Sequence, residues 1–397
     1  MQCLPGEIIN AIIDGCHADR HMLVSCSLVS KKWFASSRYH LFSTIELSSK
    51  DSKSFSELLE SPLCTIIPFL NEISFHVQDD APWILDLLSE RFYFGTVTTL
   101  NVFCYGVDLK ESIRNAISSR FLSITYLRVF AATLASRSLA PDVHFICSFP
   151  RLKNVLLYGH HQSGFHIDSA LRLPPNIRAL KLDLPSPALD GIMLWLLAHE
   201  NLPTVSSLHI FRVKAEHCAA LEQYTQACQN TLEDLMILLH KQSTEDEVNF
   251  DLRPNTSLNS IFLSASGPDA IQAAGAVLSS LSSPYLRDVI LRVPYVHLRQ
   301  EGWGGLDTML ASRTQPVACT VVTDDSRNYG PELRKRLPTL NASGSLRVVA
   351  QGRSKIAAQY LNEVYSRFKV SAELTSLSGV CNVKSSIALI TTQRSFV

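Results

Sequence analysis

His199 and Glu200 stand side by side, which is how a zinc-hydrolase helix begins: one histidine for the metal, a glutamate as base, and a second histidine one turn on. Residue 203 is proline, so the second ligand is missing and that chemistry is excluded. Cys16, His17, His21 and Cys26 lie close together, and helical spacing would put His17 and His21 on one face. No CxxC pair brackets them, and zinc fingers are built on such pairs. Gly159-His160-His161 follows a predicted strand but has no carboxylate or cysteine at matching spacing, so it reads as a pair of loop histidines. Gly302-Trp303-Gly304-Gly305 is glycine-dense, lacks the strand-turn-helix setting of a phosphate loop, and predicts a turn. No G-x-S-x-G elbow or Walker-type loop occurs. The expectation is a non-enzymatic chain with no catalytic residue, cofactor or metal. A hydrolase with a cryptic His and Cys site would require such side chains to converge in space.

The elements that must position everything else are set by an apolar triplet, L-x-x-L-x-L, returning every 25 to 28 residues. It runs through Phe42-Ile45-Leu47, Leu70-Ile73-Phe75, Val97-Leu100-Val102, Ile124-Leu127-Val129 and Leu152-Val155-Leu157. It continues through Ile177-Leu180-Leu182, Val205-Leu208-Ile210, Leu232-Leu235-Ile237, Leu258-Ile261-Leu263 and Leu286-Val289-Leu291. The period of two in each triplet predicts a short strand, and the segments between predict helices, such as 82–91, 109–120, 189–199, 215–228 and 268–281. After Leu291 the register fades. Val317–Val322 and Leu346–Val349 read as two further strands and Ser354–Phe368 as an amphipathic helix.

Neighbours on a strand alternate faces, so if the triplets face the core, the residues between them face away. Over three adjacent repeats this gathers Thr99, Asn101, Phe103; Tyr126, Arg128, Phe130; and Asn154, Leu156, Tyr158. Aromatics and arginine dominate binding energy at interfaces, so Phe103, Tyr126, Arg128, Phe130, Leu156 and Tyr158 are the target-contact candidates. The alternative is that another segment covers these rings as extra core. Lys181, Asp183, His209, Phe211, Met236, Phe262 and Arg292 extend the same face.

Composition bounds the rest. Lys plus Arg and Asp plus Glu both total 36, so no basic excess marks a nucleic-acid binder. Hydrophobic residues at 46% and charged residues at 18% give a globular balance. The ten cysteines lack disulfide-framework spacing and no leader pattern opens the chain, which predicts reduced thiols and a cytoplasmic or nuclear location. The Asn255 and Asn341 sequons are then incidental. The longest clean apolar run, Ile192 to Ala198, is short of the ~20 residues of a membrane span.

The stretch from Leu4 to Leu47 has a different character. Ile8, Ile9, Ile12 and Ile13 make one apolar face after Pro5; a second short helix fits through Met22, Leu23 and Cys26; Ser30 is placed to cap a third carrying Trp33 and Phe34. Helices this short must pack on one another and on something else to form. Their apolar residues exceed what three small helices can hide, a surplus that marks a partner surface.

Two resemblances follow from these residues. Leu4-Pro5, Glu7-Ile8-Ile9, Ile12-Ile13, the run from Cys26 to Lys31, Trp33 and the trailing Ser37-Arg38 through Leu41-Phe42 resemble the F-box, in particular that of mushroom-forming fungi. In that family a three-helix module binds a Skp-type adaptor and, through it, a cullin-RING ubiquitin ligase. The resemblance implies that Leu4, Pro5, Ile8, Ile9, Leu28, Val29 and Trp33 meet or support the adaptor surface. The triplet array resembles leucine-rich repeats, which form a curved α/β solenoid with parallel strands along its concave face. The chain departs from that family three positions past each triplet, where Tyr105, Ala132, His160, Pro185 and Val213 stand in place of Asn or Cys. The expectation is an α/β protein with an F-box-like module over 1–47, a horseshoe-like solenoid over 48–310, and degenerate repeats or a cap over 311–397. It would act as the substrate receptor of a ubiquitin ligase. The alternative is a stand-alone repeat scaffold or inhibitor whose first helices only cap the array.

Overall fold

A computed structural model describes residues 4–350 apart from 63, 90–91, 133–137, 160–166, 169, 200–201, 241–249, 267–269, 299 and 324–328. The helix expected over 354–368 and the His160-His161 pair lie outside the described residues. The fold is mixed α/β and divides into two compact units, Met1–Ile177 with Asp183–Ala188, and Arg178–Leu182 with Leu189–Val397.

The first unit begins with three helices, α1 (Gly6–Gly15), α2 (Arg20–Val29) and α3 (Lys31–Phe42). Pro5 occupies the position just before α1. The carboxylate of Asp19 accepts the Met22 N–H at the head of α2, satisfying a donor that the helix itself leaves orphaned. Ser30 does precede α3, but its hydroxyl makes no capping bond, contrary to the reading from sequence. His17 falls in the turn after α1, so it shares no helix face with His21.

Five strands follow: β1 (Thr44–Ser48), β2 (Glu72–Val77), β3 (Thr99–Tyr105), β4 (Tyr126–Ala132) and β5 (Asn154–Gly159). They pair in parallel in chain order, with helices Ser49–Glu60, Pro82–Leu87, Glu111–Arg120 and Ala140–Cys147 between them. Register is set by the triplets. Ile45, Ile73, Leu100, Leu127 and Val155 form one row across the strands, and Leu47, Phe75, Val102, Val129 and Leu157 the next. From Leu47 onward both rows are sealed in the core apart from the half-buried Ile45 at its edge.

The second unit carries β6 (Ala179–Asp183), through whose end the division passes, then β7 (Ser207–Val213), β8 (Asp234–His240) and β9 (Ser260–Ser266). β10 (Asp288–Val293), β11 (Ala318–Thr323) and β12 (Leu346–Ala350) complete it. From β7 onward the pairs are again parallel and sequential. The two strands expected beyond Leu291 are β11 and β12. The glycine-dense run at 302–305 opens the helix Trp303–Ala311 rather than making a free turn. Gly302 has φ +103, a left-handed conformation, and a Cβ there would meet the Ile271 side chain at 3.3 Å.

No described residue three positions past a triplet is an asparagine, and at the starts of β2–β5 and β7–β10 the backbone supplies another device. One carbonyl accepts two successive N–H groups from the following repeat: Ser43 from Asn71 and Glu72, Asn71 from Thr98 and Thr99, Thr98 from Thr125 and Tyr126, Thr125 from Lys153 and Asn154. The second unit repeats it with Arg178, Ser206, Glu233 and Asn259 as acceptors. Neighbouring repeats are thereby locked in register by groups every non-proline residue possesses.

Candidate functional site

The front helices expose apolar surface in a particular way. Ile9, Ile13 and Leu23 form the bundle's own core, with Cys16, Trp33 and Leu41 packed on it. Asn10 accepts the Ser36 hydroxyl at 2.5 Å, and His40 Nε2 lies 2.7 Å from Asp14 Oδ1, tying α1 to α3. With the bundle closed in this manner, Leu4, Ile8, Ile12, Met22, Leu28 and Val29 remain open to solvent, Leu28 at 81% and Val29 at 64%. Of the residues singled out from sequence, Leu4, Pro5, Ile8, Leu28 and Val29 are exposed. Ile9, at 3% exposed, and the half-buried Trp33 can only support this surface from beneath, because the bundle needs them as core.

The second face belongs to β1–β5. Opposite the triplet side, strand register assembles three rows: Thr44, Glu72, Thr99, Tyr126, Asn154; Glu46, Ser74, Asn101, Arg128, Leu156; and Ser48, His76, Phe103, Phe130, Tyr158. The alternation rule therefore brings all six sequence-predicted target residues onto one surface. In the third row the rings stack from strand to strand. His76 and Phe103 lie 4.8 Å apart at 5°, Phe103 and Phe130 4.6 Å apart at 14°, Phe130 and Tyr158 5.8 Å apart at 40°. Tyr105 adds a further parallel ring, 6.1 Å from His76. Such stacks contribute about 0.5–1.5 kcal/mol per pair beyond area burial.

Stacking also decides which rings are accessible. Phe130, held between two neighbours, is 5% exposed and Leu156 only 2%, so these two are corrected from contact residues to packing within the face. Phe103, Tyr126, Arg128 and Tyr158 are half-buried and reach the surface. The polar rows are bonded internally. Asn101 Nδ2 donates to Glu72 Oε1 at 2.6 Å and to Ser74 Oγ at 2.9 Å. The Arg128 guanidinium lies 4.8 Å over the Tyr126 ring with Nη1 3.9 Å from Glu72. His76, Glu46 and Glu72 follow from the same alternation carried back to β1 and β2, and Tyr105 from carrying it one step further along β3.

Of the residues that extend this face from sequence, Lys181, His209, Phe211, Met236 and Phe262 in the second unit are buried, while Arg292 there and Asp183, which belongs to the first unit, keep partial exposure. β7 is irregular between Ile210 and Val213, and Arg212 there has φ +60. Burial, reinforced by the nearby Lys181 ammonium, holds the His209 imidazole well below its ordinary range.

One further cluster has the donor types of a metal centre. Asp190, Glu216 and His217 bring ligand atoms within 4.8 Å of one another, with His217 Nε2 at 3.7 Å from Asp190 Oδ1 and 3.6 Å from Glu216 Oε1. However, His217 Nδ1 accepts the Lys214 N–H at 2.9 Å. A neutral ring that accepts at Nδ1 carries its proton on Nε2, so no lone pair is available there for a cation. The imidazole presents an N–H toward the two carboxylates instead. Burial raises the Asp190 carboxyl pKa, opposed by His217 and assisted by Glu216. No sequence pattern links Asp190 to Glu216 and His217, because the repeat alone makes them neighbours.

The thiols show no disulfide among the described residues. Burial pushes Cys147 and Cys319 up to about 12 and Cys218 up to about 11, so these three are not activated nucleophiles. No described helix is long and apolar enough to cross a membrane.

Comparisons with known proteins add little to this geometry. No protein-family model matches the chain, and no curated protein matches it. Among solved structures, the leucine-rich repeat-containing protein LegL7 from Legionella pneumophila is similar at 13% identity and a TM-score of 0.40, over 75% of this chain and 98% of that one.

Proposed function

We propose that the chain is a non-enzymatic substrate receptor: the front helices dock on a Skp-type adaptor that bridges to a cullin-RING ubiquitin ligase, and the β1–β5 face holds the target protein. The observation that carries this reading is the division of labour in the first three helices. Ile9, Ile13 and Leu23 already close the bundle, yet Leu4, Ile8, Leu28 and Val29 stay outside it. A helical cap built only to seal a repeat array would turn such residues inward. Holding a target beside the charged ubiquitin carrier raises the effective concentration of its lysines, so two interfaces of moderate strength suffice and no chemistry is required of this chain.

The test is co-purification of the intact chain with a recombinant Skp-type adaptor. Capture that is lost when residues 1–47 are removed, and lost in Leu28→Glu, supports the reading. No capture by the intact chain favours a free-standing scaffold or inhibitor whose first helices cap the array.

A further inference from the structure

The β1–β5 face already holds one guanidinium of its own, and the manner of holding is informative. Arg128 lies over the Tyr126 ring while the Glu72 carboxylate, fixed by Asn101, stands 3.9 Å from its Nη1. Ring and carboxylate together are what a planar cation needs: the π face attracts it and the oxygens accept its N–H groups. The same pair of elements recurs toward β1, where Glu46 stands beside the His76 ring, itself parallel to the rings of Phe103 and Tyr105. Here no lysine or arginine of the chain comes within ion-pair distance of Glu46 among the described residues; its near neighbour is His76 Nε2, at 3.8 Å. The Glu46 side chain is 57% exposed. Whereas the Glu72 carboxylate already has Arg128 beside it, Glu46 is thus a carboxylate at the edge of the ring row with no cation of this chain to match it.

We propose that the occupant of this face is an extended target segment carrying arginine, whose guanidinium sits between Glu46 and the His76-Phe103-Tyr105 rings as Arg128 sits between Glu72 and Tyr126. This rests on the reading of the β1–β5 face as the target surface and gives that target its chemical class. Arginine is favoured over lysine because its planar group stacks and forks at once. An acidic segment is disfavoured by the same carboxylates.

The experiment uses the full chain and fluorescein-labelled decapeptides with arginine at alternate positions in a serine background. The controls are the same peptide with citrulline, which keeps the shape and removes the charge, and with glutamate. Binding of the arginine peptide alone, weakened roughly five- to tenfold by Glu46→Gln, is the expected result. Phe103→Leu gives a similar loss, and Glu332→Gln, in the other unit, gives none. Equal binding of the citrulline peptide, no binding of the arginine peptide, or unchanged affinity in Glu46→Gln overturns the proposal. Adaptor capture measured on the same Glu46→Gln protein separates the two readings. Intact capture with no peptide effect ends the arginine assignment alone, while peptide binding without capture ends the docking assignment alone.

Discussion

The two units use one repeat and fill its outward-pointing positions with different side chains. The middle row is largely buried in both, with Ser74, Asn101 and Leu156 in the first and Lys181, His209, Met236 and Phe262 in the second, but the row beside it holds the stacked, half-buried rings of His76, Phe103 and Tyr158 in the first unit and half-buried Leu238, Ser264 and Arg292 in the second. The triplet therefore determines which way a side chain leaves the strand but not whether water waits at the other end. Residue type alone does not separate the cases either, since the buried set contains a lysine and a histidine. Exposure separates a recognition surface from a second core, and exposure depends on what lies above the strands.

The comparison is most sharply tested by truncating one ring in each unit. Phe262→Ala removes a fully buried ring and is expected to cost about 3–5 kcal/mol, whereas Phe103→Ala, half-buried and stacked, is expected to cost about 1–2 kcal/mol while weakening target binding. Urea unfolding of both variants measures this; equal losses would mean that the first face is core as well. In the front helices Leu23→Ala should cost about 2–4 kcal/mol, and Leu28→Ser, at a solvent-facing position, less than about 0.5 kcal/mol. Thermal melts distinguish them, and a large loss in Leu28→Ser would show that this surface is not free.

Acid should divide the units as well. His209 is held neutral by burial in the fold, so the unfolded chain binds more protons as pH falls through the ordinary histidine range near 6.5. Stability of the second unit is then fully present above that range and lost below it, by up to about 1.4 kcal/mol per pH unit, and His209→Gln should flatten the slope. Hydrogen exchange of β7 and β8 amides between pH 7.5 and 5.5 reads the effect; a slope unchanged in the variant would assign it to other groups. The smallest difference is between caps. Asp19→Ala should cost about 1 kcal/mol because its carboxylate accepts the Met22 N–H, and Ser30→Ala almost nothing because its hydroxyl makes no such bond.

Much of the fold was legible because the triplet is a backbone-scale signal. The last two members of all ten triplets lie within strands, and Leu100, Leu127 and Val155 pair in the expected row. Helix limits were less legible: within the segment expected over 82–91 the helix Pro82–Leu87 already gives way to a turn at 88–89, since propensity states no stopping point. At the candidate sites, alternation assigned faces correctly, but the burial of Phe130 and Leu156 depends on neighbours from other strands that no local pattern encodes. Ile9 illustrates the same limit within a helix. Ile8 and Ile9 are adjacent and equally apolar, and only the positions of Ile13 and Leu23 decide which one turns inward.

The carbonyl that takes two N–H groups from the next repeat acts as a clasp at the head of β2–β5 and β7–β10. Residues spliced in after β2 or β3 would lengthen the segment beyond the strand without sliding that strand past its neighbour, because its register is held at the opposite end.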